Sequence, residues 1–373
     1  MDQSLCMNGG EGRASYAQNS FVQKQVMSRA MPALQETLRE LYLDSFPECL
    51  KSADLGCSSG PNALLFLREM IDSIDAIRKK LNKTEPTFQI FLNDLFDNDF
   101  NNLIRSIPSF YEELRREKGG DFGPCFIAAM PGNFYGRLFP DHSLHFIHSS
   151  YSVHWRSQVP ANLVSEFGSP LNKGHIYLAR ITPKSVYEAY LDLFNRDMTV
   201  FLKSRSEELV LGGRMMFTMI GRDASVNLSE DQVSNIWELL GMTISDMVQE
   251  GIIEEEKLDD CNMPFYLPTL EEVRYVIQKE GSFDITRFET FKVTWDAEMG
   301  DGDLQMRGKY AAATIRAVSE SILTTHFGEE VMDGLFERFA SKVSQYMKLH
   351  KGEYFNILVS VKNRWISTLM QSS

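Results

Sequence analysis

The run Ser52-Ala53-Asp54-Leu55, Gly56-Cys57-Ser58-Ser59-Gly60 and Pro61-Asn62 reads as a short strand, a loop of small residues and a helix over 62–81. Few folds accommodate that order. Small residues at Gly56, Ser58, Ser59 and Gly60 let the backbone come close to a ligand, Pro61 suits a first helical turn, and the helix presents its amino-terminal N–H groups. One strand later, 87–92 is rich in β-branched and aromatic residues and stops at Asn93-Asp94. An acid at that place can accept both ribose hydroxyls of an adenosine group. The loop lacks the full Gly-x-Gly-x-x-Gly pattern, and Asp54 would repel a pyrophosphate while attracting the cationic amino group of an amino acid. The pattern suits a nucleoside with an amino-acid tail; the plainer alternative is an ordinary strand-to-helix turn with Asp54 as a local cap.

The rest of the first half continues the alternation. Residues 16–42 read as a helix with Val22, Val26, Ala30, Leu34, Leu38 and Leu41 on one face. Strands are expected at 126–130, 144–147 and 214–220, the last after the turn Gly212-Gly213, with a helix over 187–208. That order implies an α/β chain with a parallel, doubly wound sheet. From about residue 223 the character changes to long amphipathic stretches, 230–250, 270–280 and 310–326, read as a helical cap. The expected organisation is a core over 1–222 whose amino-terminal segment covers the substrate, a mainly helical cap over 223–345, and a strand within 346–373 that returns to the core.

With 373 residues, 43% of them hydrophobic, the chain can fill a substantial core. A formal net charge of −13 repels phosphate backbones and anionic lipid, so neither nucleic acid nor membrane is an expected partner. Small molecules fit better. No apolar run approaches the roughly 18 to 20 residues that span a bilayer, and the amino terminus lacks a secretory pattern, so a cytoplasmic location is expected. Cys6, Cys49, Cys57, Cys125 and Cys261 are widely spaced and odd in number, which suggests reduced thiols. The acidic residues Glu254-Glu255-Glu256 and Asp259-Asp260 read as a solvated helix end.

The segment 142–155, HSLHFIHSSYSVHW, is dense in polar and aromatic groups. His145 and His148 are three apart in a strand-like run, point to opposite faces and should not share a metal. Tyr151, His154 and Trp155 either line a cleft for a planar substrate or form a buried aromatic cluster with satisfied hydrogen bonds. Trp237, Met242, Met247 and Ile315 lie on helical stripes that are core by default. No nucleophile elbow or P-loop is present, which removes support for hydrolase and kinase chemistry.

At DLGCSSGPN, NDLFDNDFN, FYGRLFP and LHFIHSSYSVHW the chain resembles the plant SABATH methyltransferases, which include salicylate, benzoate and jasmonate carboxyl methyltransferases and the caffeine-pathway N-methyltransferases. The likeness runs from MNGGEGRASYAQNS to YFNILVSV. It implies a Rossmann-like S-adenosylmethionine (SAM)-dependent core with an α-helical cap, commonly in a homodimer. The cofactor residues it implies are Tyr16, Ser20, Asp54, Gly56, Cys57, Asn62, Asp94, Leu95, Phe134 beside the adenine, and Ser149. Asn133 stands where the family usually has Ser and keeps a side-chain oxygen for the bond.

The acceptor side implied by the resemblance comprises Tyr16, Asn19, Gln23, Tyr151, His154, Trp155, Ile220, Ile236, Trp237, Ile315, Val318 and Tyr354. His154 and Trp155 are the residues expected nearest the chemistry, with Tyr16, His154 and Tyr354 orienting a ring and Trp155 bounding the pocket. Carboxyl-methylating members carry a Lys where this chain has Asn8, which weakens the case for an anionic substrate. The MNGGEG run and His154 resemble xanthine methyltransferases of the coffee type; Gln23 matches the carboxyl-methylating class. The expectation is N-methylation of xanthine or a methylxanthine, with methyl-ester formation on salicylate, benzoate or a related acid as the alternative. The resemblance also implies a magnesium ion near Asn172, Asp259, Cys261 and Asn262, an oxygen-rich set if Cys261 offers its carbonyl.

Overall fold

The computed structural model describes residues 5–119, 124–225, 232–233, 235–296 and 302–364. A short helix α1 (Tyr16–Asn19) leads into α2 (Phe21–Ser45), where a single helix was expected. The break falls at Ser20, whose carbonyl and hydroxyl both accept from Asn62 Nδ2 at 3.0 Å. Strand β1 (Cys49–Leu55) and helix α3 (Asn62–Leu81) flank the small-residue loop, and β2 (Thr87–Asp94), α4 (Phe100–Lys118) and β3 (Cys125–Pro131) complete one wing. The other wing follows from β4 (Leu144–Ser150), α5 (Lys184–Glu208) and β5 (Leu209–Gly221).

Helices α6 (Ile236–Gln249), α7 (Glu255–Asp260) and α8 (Leu270–Glu280) come next, then β6 (Phe283–Thr294), α9 (Leu304–Phe327), α10 (Met332–Leu349) and β7 (Glu353–Asn363). Glu230, the expected start of the first cap helix, lies outside the described residues. The segment 223–345 also sends β6 back into the sheet. Its sequence FDITRFETFKVT mixes charged residues with apolar ones because an edge strand is covered on one side only.

The seven-stranded sheet has the order β3-β2-β1-β4-β5-β7-β6. Pairs among β1 to β5 are parallel, and β7 runs antiparallel between β5 and β6. Register sets Leu55 beside Asn93, Asp54 beside His148 and Ser150 beside Thr218. The carboxyl ends of β1, β2, β4 and β5 therefore open on one edge. Strand β7 is reversed, so its beginning reaches the same edge: Asn356 lies opposite Ile220, with Tyr354 two residues earlier. Among the described residues no helix is long and apolar enough to cross a membrane.

Helices α9 and α10 pack where Gly308 meets Ala340 and Ser344. A Cβ on Gly308 would lie 2.5 Å from Ala340 O and collide with Ser344 Oγ. Alanine normally gains roughly 1 kcal/mol over glycine within a helix, but a backbone oxygen cannot move aside as a side chain can, and overpacking costs about 1 to 3 kcal/mol. The second effect wins. Gly308→Ala should lower stability by about 1 to 2 kcal/mol in urea unfolding despite its better helix propensity.

Candidate active site

At the end of β1 the chain turns at Gly56, with φ 74°, and a Cβ there would run into the Ser152 side chain. Only glycine fits. The Gly56 and Cys57 N–H groups both donate to Asn93 O at 2.9 Å, and Ser152 Oγ donates to Gly56 O at 3.0 Å. Asp94 closes β2 over this turn: Oδ2 accepts from Ser58 N–H at 2.7 Å and Oδ1 from Leu95 N–H at 2.8 Å. Burial raises the Asp94 carboxyl to about pKa 6, with the two backbone bonds opposing and the charge on Asp54 assisting.

Asp54 is buried as well, and its Oδ1 lies 2.7 Å from His148 Nδ1. The His148 ring stacks on Phe66 at 4.0 Å. His145 accepts from Lys51 N–H at 3.1 Å. The two histidines thus serve different partners, as their spacing implied. Ser58 Oγ and Ser59 Oγ are buried with no hydrogen-bond partner among the described residues. Each such hydroxyl costs about 1 to 3 kcal/mol unless a ligand or water meets it. A glycine-tight turn, the unmet Ser58 hydroxyl in the cavity lining and a carboxylate held by backbone N–H groups fit the polar parts of an adenosyl amino acid.

A cavity of about 650 Å3 lies at this edge. Tyr16, Gly56, Asp94, Leu95, Asn133 and Phe134 line one part of it. Gln23, Tyr151, His154, Trp155, Ile220, Trp237, Ile315, Val318 and Tyr354 line the other. Several expected site residues stand elsewhere. Asn19 turns its amide to the carbonyls of Arg13 and Ser15, both at 2.8 Å, and does not line the cavity. Ser149 donates to Leu55 O at 2.9 Å and ties β4 to β1. Ser20 and Asn62 bond each other behind the loop. Cys57 and Ile236 are buried outside the lining, and burial pushes the Cys57 thiol well up.

The Phe134 wall is held from below by a buried ion pair. Arg205 donates to Phe134 O and Gly136 O at 2.7 Å each and bonds both Glu208 oxygens at 2.7 Å. Glu208 Oε1 in turn accepts from Leu138 N–H at 2.6 Å and Phe139 N–H at 3.1 Å. Breaking such a pair costs about 3 to 5 kcal/mol, because the remaining charge is stranded.

On the opposite wall Tyr151 has φ 60°, donates from its hydroxyl to Asn356 Oδ1 and sits edge-on to His154 with ring centres 5.5 Å apart. Burial, followed by the charge on Arg156, lowers His154 to about pKa 3. His154 Nδ1 and Gln23 Oε1 are buried with no partner among the described residues. Trp155 packs edge-on against Trp237 at 6.1 Å and Phe265 at 5.6 Å, while Tyr135 donates to its carbonyl. Asn8 lies on α9, donating from its side chain to Glu320 and to Ala14 O at 3.1 Å. The sequence reading did not anticipate Ser152, Tyr135, Asn356 or Arg156. An arginine directly after Trp155 was the one visible signal.

Asn172, Asp259 and Asn262 come together, but as a bonded cluster. Asn172 Nδ2 donates to Asn262 Oδ1 at 3.0 Å, Asp259 Oδ1 accepts from Gly174 N–H at 2.8 Å, and Lys173 Nζ lies 3.7 Å from Asp259 Oδ2. Asn172 Oδ1 is left without a partner among the described residues. One unmet amide oxygen beside an ammonium does not fit a magnesium cage. Among the described residues no group of three or more His, Cys, Asp or Glu could hold a metal. Cys261 is fully buried and its thiol is pushed up to about 12.

The order of strands, the Asp94 clasp and the aromatic chamber beyond it define a SAM-dependent methyltransferase. A family model described as SAM dependent carboxyl methyltransferase matches residues 2–364, and the chain belongs to that family, the SABATH methyltransferases. It is 46% identical over 382 aligned residues to "Probable caffeine synthase MTL2" of Coffea canephora, covering 98% of each chain. It is 44% identical to "Probable jasmonic acid carboxyl methyltransferase 1" of Theobroma cacao, covering 97% of this chain and 99% of that one. Among solved structures it resembles a loganic acid methyltransferase with S-adenosylhomocysteine (SAH), with a TM-score of 0.83, 32% identity and coverage of 98% and 100%.

The raised Asp94 pKa has a definite sign. Below about pH 6 the free carboxyl is protonated and loses acceptor capacity, so if Asp94 holds the ribose, binding must first remove the proton. The Kd for SAH should rise about tenfold per pH unit below that value and be flat above it, as read by titration calorimetry. Asp94→Asn should bind weakly with no such slope.

Proposed function

We propose that this chain methylates a ring nitrogen of xanthine or a methylxanthine. The observation that carries the reading is the buried His154 imidazole, neutral and with Nδ1 unmet among the described residues. A neutral imidazole accepts at one nitrogen and donates at the other, so it can hold a ring N–H or a ring carbonyl but brings no charge to a carboxylate. The flat walls of Trp155, Trp237 and Tyr151 suit a planar heterocycle; each well-placed aromatic pair adds about 1 kcal/mol beyond burial. Asn8, tied to Glu320, brings no cation to the acceptor.

When bound, SAM supplies an electrophilic methyl group on a sulfonium. Alignment then contributes most of what the protein must provide. Tyr16 and Phe134 stand on the cofactor side, His154 and Tyr354 orient the ring, and Trp155 limits its depth. With a pKa near 3, His154 is a poor base and acts by orientation.

Gln23 favours a second reading. Its amide oxygen is buried without a partner among the described residues, in a chamber it shares with Trp155, and an amide with an indole N–H can clamp a carboxylate. Methyl-ester formation on a plant acid would follow. The jasmonate-type relative is similar enough to keep that chemistry in view. A homodimer belongs to the same reading and is checked by sedimentation.

Labelled SAM offered with xanthine, xanthosine, 7-methylxanthine, salicylate, benzoate and jasmonate separates the two readings. Turnover confined to purines supports ring N-methylation; dominant ester formation overturns it. On a purine acceptor, His154→Leu should lower kcat/KM on the order of 10- to 100-fold and disturb regiochemistry.

A further inference from the structure

Arg156 and Arg205 are among the largest fully buried side chains. Arg205 has Glu208, but Arg156 forms no ion pair with any described carboxylate. Its Nε donates to His154 O at 3.3 Å and Nη2 to Val153 O, while Nη1 meets no acceptor among the described residues. Tyr135 and Phe194 offer ring faces to the guanidinium at 5.3 and 5.1 Å. Asp197, the carboxylate fastened to this loop, is taken by Ser157 N–H and Oγ at 2.8 Å each.

A buried cation without a counterion is strongly disfavoured, and two aromatic faces offset only part of that cost. Packing alone would be served better by a leucine or methionine at this place. What the arginine adds is its fork, which grips consecutive carbonyls at the turn carrying His154 and Trp155. We propose that Arg156, which itself lines the cavity, is a positioning residue for the acceptor, its fork fixing the His154-Trp155 turn and its unpaired charge lying beside the imidazole. The inference rests on the reading that His154 meets the acceptor.

The groups around His154 agree with this. Tyr151 and Trp155 face its ring, Tyr266 N–H bonds its carbonyl at 2.9 Å, and Arg156 is the charged group acting on it. No described carboxylate raises its pKa.

Arg156→Gln and Arg156→Lys test the proposal with 7-methylxanthine and salicylate as acceptors. In the Gln variant acceptor KM should rise on the order of 10- to 100-fold while SAM KM stays within about twofold. With SAM held saturating, so that Asp94 does not set the profile, the acid limb of kcat/KM for the acceptor should also move toward neutral pH, because the imidazole becomes easier to protonate. The Lys variant should restore the acid limb but keep the raised acceptor KM, since an ammonium lacks the fork. A folded Gln variant with wild-type acceptor KM and acid limb overturns the proposal. So do losses shared equally by SAM and acceptor with the acid limb unmoved.

If the Gln variant does not fold, the Lys variant decides alone: a raised acceptor KM beside an unchanged SAM KM supports the proposal, and wild-type values for both overturn it. His154→Leu, run in parallel, separates the two readings. Wild-type behaviour of that variant removes His154 from the site, whereas its loss beside a normal Arg156→Gln removes only Arg156.

Discussion

The register of β1 against both β2 and β4 is the constraint on which the rest of the site depends. It sets Leu55 beside Asn93 and Asp54 beside His148, so that the loop after β1 emerges between two strand ends. Asn93 O then takes the Gly56 and Cys57 N–H groups, and Asp94 takes those of Ser58 and Leu95. A one-residue slip would turn every side chain to the other face and separate these partners. The bonds that pair the sheet therefore also shape the loop proposed to hold the cofactor.

The two walls of the cavity are built on different electrostatic plans. Beneath Phe134 a buried arginine and glutamate neutralise each other while gripping four backbone groups. Beneath His154 a buried arginine grips two carbonyls and keeps its charge. The first plan gives a rigid, electrically quiet face at the proposed adenosine site. The second leaves an uncompensated guanidinium beside a neutral imidazole at the acceptor end.

Much of this was legible in the sequence because it is local. The strand, turn, helix and following acid of 52–94 lie within one βα unit, and small residues there have few other uses. Helix α8 was expected over 270–280 from its amphipathic stripe, and the structure closes it at those bounds with a Thr269 capping box and a Gly281 cap. What escaped depends on distant pairing. Strand β6 was not anticipated within the expected helical cap, since its place in the sheet depends on pairing with β7, and the break at Ser20 needs Asn62, 42 residues away. The roles of Ser149 and Asn19 were assigned by likeness, but their side chains turn to backbone carbonyls that no sequence pattern displays. Arg156 was visible as a letter; its lack of a counterion was not.

The most direct test of the account is a crystal structure with SAH and 7-methylxanthine bound together. The account predicts the purine against Trp155, with a ring nitrogen turned to the cofactor sulfur and His154 hydrogen-bonded to the ring. A purine bound away from His154, or no ordered purine where salicylate binds between Gln23 and Trp155, would contradict it.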